Sequence, residues 1–224
     1  VNQSLYPKLN FAPSEFVPIS ILATIPTGLI VSNRTPVNTF KEFIDYAKAN
    51  PGKLTAATQG TGTTSHLTAE WFQMVTGTKF LSVPYRGSGP ALTDMLGGQV
   101  PTGFVVVATA IPQIRNNKLR ALAISSAKRS PQLPDVASFE ELGYKGFDVV
   151  SWIGLAGPAG LPNDLVAKIS SETLKIVQTA EVRDRLLAIG VEPVPANAEE
   201  FGAYIAREHA KWSRLVKDSG AKLD

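Results

Sequence analysis

Between Leu54 and Ser125 short apolar runs alternate with amphipathic stretches, and nearly every switch falls on glycine, proline or hydroxyl residues. Leu54–Thr58 reads as a strand that stops at Gln59-Gly-Thr-Gly-Thr-Thr-Ser65. A helix follows, with Leu67, Trp71, Met74 and Val75 at helical spacing and Gly77 at its end. Phe80–Tyr85 reads as a second strand, closed by Arg86-Gly-Ser-Gly-Pro90, which opens a short helix ending at Gly97-Gly98. Strand Val100–Val107, helix Ala108–Asn116 and strand Leu119–Ser125 continue the pattern. Such βα alternation predicts a mostly parallel sheet with helices on both faces.

Two further extended segments bracket this block, one ending near Ser32 and one from Phe147 to Leu155. After the first, Thr39 and Glu42 form a capping box for a helix carrying Phe40, Phe43, Ile44 and Ala47, which Asn50-Pro51-Gly52 terminates. After the second come helices at 163–179 and 181–189, a short strand Val191–Val194, and a long helix opened by Asn197-Ala-Glu-Glu200. Placed side by side, the segments at 25–32 and 147–155 make a two-strand hinge. The α/β chain then divides as 1–30 (remainder of lobe 1 and first crossing), 31–148 (lobe 2) and 149–224 (second crossing and return to lobe 1), the plan of a clamshell that closes on a ligand.

Composition excludes several functions. No run of about 18 apolar residues occurs, so no membrane insertion is expected. With no cysteine there is neither a disulfide nor a thiolate metal site. The net charge of +3 is scattered, with Lys128-Arg129 and Arg183/Arg185 as the densest spots and no interleaved aromatics, so nucleic acid is not an expected partner. The chain starts at Val1, and any export signal is expected to have been removed. Its two histidines, His66 and His209, accompany no Gly-x-Ser-x-Gly elbow and no metal-ligand spacing, so no catalytic residue, metal or cofactor is assigned. Gly60-x-Gly62 lacks the third glycine of a dinucleotide loop, which would fall at Ser65, and lacks the Gly-Lys-Ser/Thr of a phosphate loop.

What the Gln59–His66 segment does offer is a low-bulk loop of exposed amides beside the positive end of a helix dipole, a seat for a small anion. Thr61, Thr63, Thr64 and Ser65 can donate from side chains as well, although Thr63 or Thr64 also serves as a helix cap. His66 either donates to the ligand or hydrogen-bonds the loop. Tyr85 and Arg86 are candidates to line the same strand edge, and Phe104 is brought to it with core packing as its default role.

Several strings resemble the periplasmic solute-binding proteins of tripartite tricarboxylate transporters, the Bug family. They are Tyr46-Ala-Lys-Ala-Asn-Pro-Gly-Lys-Leu54, Gly60-Thr-Gly-Thr-Thr-Ser-His-Leu67, Val83-Pro-Tyr-Arg-Gly-Ser-Gly-Pro-Ala-Leu92, Leu119-Arg-Ala-Leu-Ala123, Lys128-Arg-Ser-Pro131, Ser151-Trp-Ile-Gly-Leu155 with Pro158-Ala-Gly160, and the Trp212 region. The resemblance implies a two-lobed periplasmic-binding-protein-like (type II) clamshell in the periplasm. It would hold a small carboxylate and hand it to membrane transporter subunits. The loop of Gln59, Gly60, Thr61, Gly62, Thr63, Thr64, Ser65 and His66 looks like the family's second-lobe carboxylate loop, and Tyr85 and Phe104 join the expected contacts from their place at the same strand edge. The family's other carboxylate loop lies near the mature N-terminus and is not among these residues; the first lobe is expected to be incomplete, with apolar surface exposed on the returning helices. Val105-Val106-Val107 departs from the polar residue that relatives carry after Phe104. Two other readings remain: a clamshell sensor domain, against which no helix-turn-helix segment is visible, and an acyl-ester enzyme, which would need a nucleophile near His66.

Overall fold

The predicted capping box forms: Thr39 Oγ1 accepts the amide of Glu42, and the Glu42 carboxylate accepts the amide of Thr39 in return. The computed structural model describes residues 2–6 and 8–219; Val1 and Asp224, the ends of the predicted divisions, lie outside them. Its elements run α1 (Asn2–Leu5), β1 (Phe16–Ser32), α2 (Phe40–Ala49), β2 (Thr55–Thr58), α3 (Thr64–Thr76), β3 (Leu81–Pro84), α4 (Ser88–Gly97), β4 (Thr102–Val106), α5 (Val107–Arg115) and β5 (Leu119–Ile124). They continue as β6 (Val150–Pro158), α6 (Asn163–Val177), α7 (Ala180–Ala188), β7 (Glu192–Ala196) and α8 (Ala198–Ser219). Two compact units result, Val1–Ile25 with Trp152–Asp224, and Pro26–Ser151. The passages between them therefore fall inside β1 and β6, strands that pair with each other.

In the unit Pro26–Ser151 the strand order is β3-β2-β4-β1-β5. β2 runs parallel to both β3 and β4, with Ala57 opposite Val83 on one side and Gly103 on the other. β1 lies antiparallel to β4 and β5, so the sheet is mixed where βα alternation alone predicted a mostly parallel one. The reason is non-local: β1 arrives from outside the βα block and enters between two of its strands.

Alternation along β4 sends neighbouring residues to opposite faces. Phe104 points to the α2/α3 face, where its ring sits 5.2 Å from Phe72 and 5.7 Å from Phe80, and Phe72 continues to Phe139 at 5.5 Å. Val105 joins Ile30, Ala57, Met95 and Ala110 under α4 and α5. Gly103 is glycine for a packing reason, since a Cβ there would lie 2.6 Å from Met95 Sδ. Fully burying each aromatic of this core contributes on the order of 1.5–3 kcal/mol.

The other unit is built from β6, β7, the first half of β1 and helices α1 and α6–α8. β7 pairs with β1 from Ile21 opposite Ala196 to Thr24 opposite Glu192, and Ser20 Oγ donates to the Ala196 carbonyl at 2.7 Å. α8 packs on β6 through Phe201, 5.4 Å from the Trp152 ring, and a Cβ at Gly154 would strike Phe201 at 2.2 Å. Apolar side chains stay exposed here, among them Ile153, Leu165, Ile176 and Ile189. Among the described residues no helix is long and apolar enough to cross a membrane.

Candidate functional site

Because β2, β3 and β4 are parallel neighbours, their carboxyl ends share one sheet edge, and each leads directly into a helix: α3, α4 and α5. α3 leaves over one face, while α4 and α5 lie on the other. Between β2 and β4 the departing connections therefore diverge to opposite faces, the topological switch point at which open α/β sheets bind ligands. Three helix N-termini, each carrying about half a positive charge, gather there.

The loop after β2 is built from its own side chains. Gly60 and Gly62 take φ of 126° and 76°, backbone that favours glycine. Thr63 is the helix cap: its Oγ1 donates to the Gly60 carbonyl at 2.7 Å and accepts the His66 amide at 3.4 Å. Ser65 is fully buried; its Oγ accepts the Gln59 amide at 3.1 Å and donates to the Phe104 carbonyl, tying α3 to β4 across the switch point. Gln59 reaches sideways, its Nε2 donating to Ser88 Oγ at the start of α4. Among the described residues, the amides of Gly60, Thr61, Thr64 and Ser65 have no hydrogen-bond partner. Thr61 is exposed, and Thr64 is half-buried.

His66 stands with its imidazole inside this loop. Nδ1 accepts the Gly62 amide at 3.3 Å, and Nε2 lies 3.8 Å from Glu70 Oε1. Burial pushes the imidazole's pKa below the ordinary histidine value, and Glu70 only partly opposes it. No hydroxyl is hydrogen-bonded to this ring among the described residues, so the geometry provides no serine–histidine pair. His209 is exposed on α8, and no group of three or more His, Cys, Asp or Glu able to hold a metal occurs among the described residues.

Two of the expected contact residues are occupied elsewhere. The Phe104 ring is wholly buried between Phe72 and Phe80, the core packing named as its default role, and its carbonyl is the acceptor from Ser65. Tyr85 turns its hydroxyl to Asp94 Oδ2 at 2.8 Å and packs its ring against the α4/α5 core. Arg86 is exposed. The start of α5, a helix expected from Ala108 but not named among the expected contacts, lies at the same edge. Val106 to Thr109 has no side-chain cap, and Ala108 and Thr109 are at least partly accessible. The apolar string Val105-Val106-Val107 hid it; the clue available was that a third strand-to-helix switch follows the other two.

A profile described as "Tripartite tricarboxylate transporter family receptor" matches residues 1–221. The chain belongs to this family. Protein BugT of Bordetella pertussis is 33% identical over 224 residues, which is 100% of this chain and 69% of BugT. The structure titled "R. palustris Rpa4515 with adipate" superposes with a TM-score of 0.90 at 28% identity, over 99% of this chain and 75% of that one. MatC (Rpa3494) from Rhodopseudomonas palustris with bound malate gives 0.81 at 29% identity, over 96% and 74%. The chain spans about two thirds of the length of the first curated relatives it matches (69%, 65% and 65%). The Bug-type resemblance and the α/β fold of periplasmic binding proteins expected from the sequence are thus the ones found, in a family of receptors rather than enzymes.

Proposed function

We propose that this chain belongs to an extracytoplasmic, periplasmic solute receptor that holds a small carboxylate without transforming it and delivers it to the membrane subunits of a tripartite tricarboxylate-type transporter. One observation carries the reading: unpaired amides at Gly60, Thr61 and Thr64 lie where three helix N-termini gather, and among the described residues no hydroxyl is bonded to His66 and no metal-holding cluster occurs. A carboxylate needs two or three donors and no metal, and each hydrogen bond to a charged group contributes about 1.5–3 kcal/mol. The adipate and malate bound to the two structural relatives are ligands of this chemistry. In this reading Gln59, Gly60, Thr61, Gly62 and Thr64 form the seat, Thr63, Ser65 and His66 brace it, and Tyr85 and Phe104 belong to the scaffold. The two compact units correspond to the two lobes, with the passages at 25–26 and 151–152 as the hinge strands.

Calorimetry against malate, adipate and a panel of other dicarboxylates, amino acids and aromatic carboxylates tests this. Binding tighter than about 1 mM, roughly 4 kcal/mol, is expected for at least one carboxylate. Absence of binding across the whole panel overturns the proposal.

A further inference from the structure

Among the described residues, the imidazole of His66 is the group that takes up the Gly62 amide in the middle of the anion loop. Its Nδ1 accepts from Gly62, the second of the two glycines whose left-handed backbone gives the loop its shape. Acceptance at Nδ1 requires the neutral ring, with its proton on Nε2 facing Glu70. Glu70 is in turn held away from the seat. Its Oε1 accepts from Ser82 of β3 at 3.0 Å, its Oε2 from Gln73 at 3.2 Å, and Gln73 Oε1 accepts the Phe80 amide at 2.9 Å. Glu70 is the one titratable group within ion-pair distance of the ring among the described residues; Ser82 and Gln73, which approach through it, carry no charge.

We propose that His66 is a protonation-sensitive positioning residue: neutral, it latches the Gly62 amide and keeps the seat in its binding shape, and protonated, it releases that amide and lowers affinity for the carboxylate. The inference rests on the anion-seat reading above. A proton added at Nδ1 sets two donors, N–H and N–H, against each other, and glycines on both sides of Thr61 let the peptide turn away. The added positive charge would by itself favour an anion. Glu70 Oε1, 3.8 Å from Nε2, draws part of that charge away from the seat, and we take the change of loop shape to outweigh the rest. The sign follows from burial favouring the neutral ring in the folded chain: the latched state is complete above the ordinary histidine value and is lost as pH falls through the lower folded value.

Nuclear magnetic resonance of the chain, following the His66 ring nitrogens and the Gly62 amide from about pH 8 to about pH 4.5, reads the latch without any ligand. The Gly62 amide should shift and lose exchange protection with the same midpoint as the ring. In His66→Asn the side-chain oxygen stands in for Nδ1, so protection should persist and become independent of pH. In His66→Gln the oxygen falls where Nε2 was, and protection should be lost throughout. With adipate as the probe, affinity in the unaltered chain should fall about 2- to 10-fold across the His66 titration, the equivalent of one net hydrogen bond, and stay level in His66→Asn. A Gly62 amide indifferent to the ring's titration overturns the proposal. If the amide follows the ring but adipate, malate and the wider panel fail to bind, the latch stands and the carboxylate reading alone falls.

Discussion

The junctions after β2 and after β3 sit on adjacent parallel strands and look alike in sequence, each a run of glycine and hydroxyl residues opening a helix. They are held in different ways. The first closes on itself: Thr63 caps, Ser65 bridges Gln59 to β4, and His66 takes up Gly62. The second is held from outside itself, by Tyr85 to Asp94 further along α4 and by Gln59 of the first junction to Ser88, and α4 begins at Gly87 without a side-chain cap. In the first, the side chains of Thr63, Ser65 and His66 that read as ligand donors are spent on the scaffold, and the amides of Gly60, Thr61 and Thr64 are left unpaired; in the second, the Tyr85 hydroxyl is likewise spent. The side chains of Thr63, Ser65 and His66 are thus better understood as the frame than as the grip.

The strongest way to break that contrast is Ser65→Ala. The change orphans the Gln59 amide and the Phe104 carbonyl inside a buried site, at about 1–3 kcal/mol for each group. Urea unfolding should show a lower midpoint with an unchanged slope. A loss within about 0.5 kcal/mol, the range of ordinary surface changes, would mean that the first junction does not depend on its own brace. Thr61→Ala, one turn away and exposed, serves as the neutral comparison.

Next in size is Gly62→Ala. At φ of 76° an alanine costs about 1–2 kcal/mol, and relief of that strain would move the amide that His66 holds. Gly87→Ala at the second junction meets no neighbouring atom but has φ of 97° and ψ of −175°, a glycine-only region costing about 1–3 kcal/mol. Both should destabilise in urea, yet only the first is expected to loosen adipate binding by calorimetry. Equal effects on binding would show that the two junctions share the seat, and the contrast between them would go.

Much of this was legible because it is local. The Thr39–Glu42 box, the glycine ends of α3 and α4 and the strand-loop-helix rhythm are set by residues within a few positions of each other. What was not legible depends on pairing across the sheet. β1 inserts antiparallel between β4 and β5, which no spacing within 16–32 announces. The register of Phe104 in β4, which turns its ring into the aromatic core, and the place of the uncapped start of α5 at the switch point both depend on how β4 pairs. Ser65 read as a donor to ligand; only the packing of α3 on β4 shows that its hydroxyl is already engaged at both ends.

The smallest expected effect falls on the second junction. Tyr85→Phe removes the 2.8 Å bond to Asp94, a half-exposed contact whose loss should cost about 1 kcal/mol in urea at neutral pH. Burial first, and the Asp94 hydrogen bond second, push the Tyr85 hydroxyl up to about 12. Its value in the unfolded chain is about 10. A raised value favours the protonated phenol in the fold, so this contribution is complete below about pH 10 and is lost as pH rises toward 12. The stability gap between the unaltered chain and Tyr85→Phe should therefore stay constant up to about pH 10 and narrow above it. Adipate affinity should not change, because the hydroxyl is bound to α4 and not offered to the seat. A Tyr85→Phe variant with full stability and weakened adipate binding would reverse the assignment, making the second junction the one that grips and the first a mere helix start.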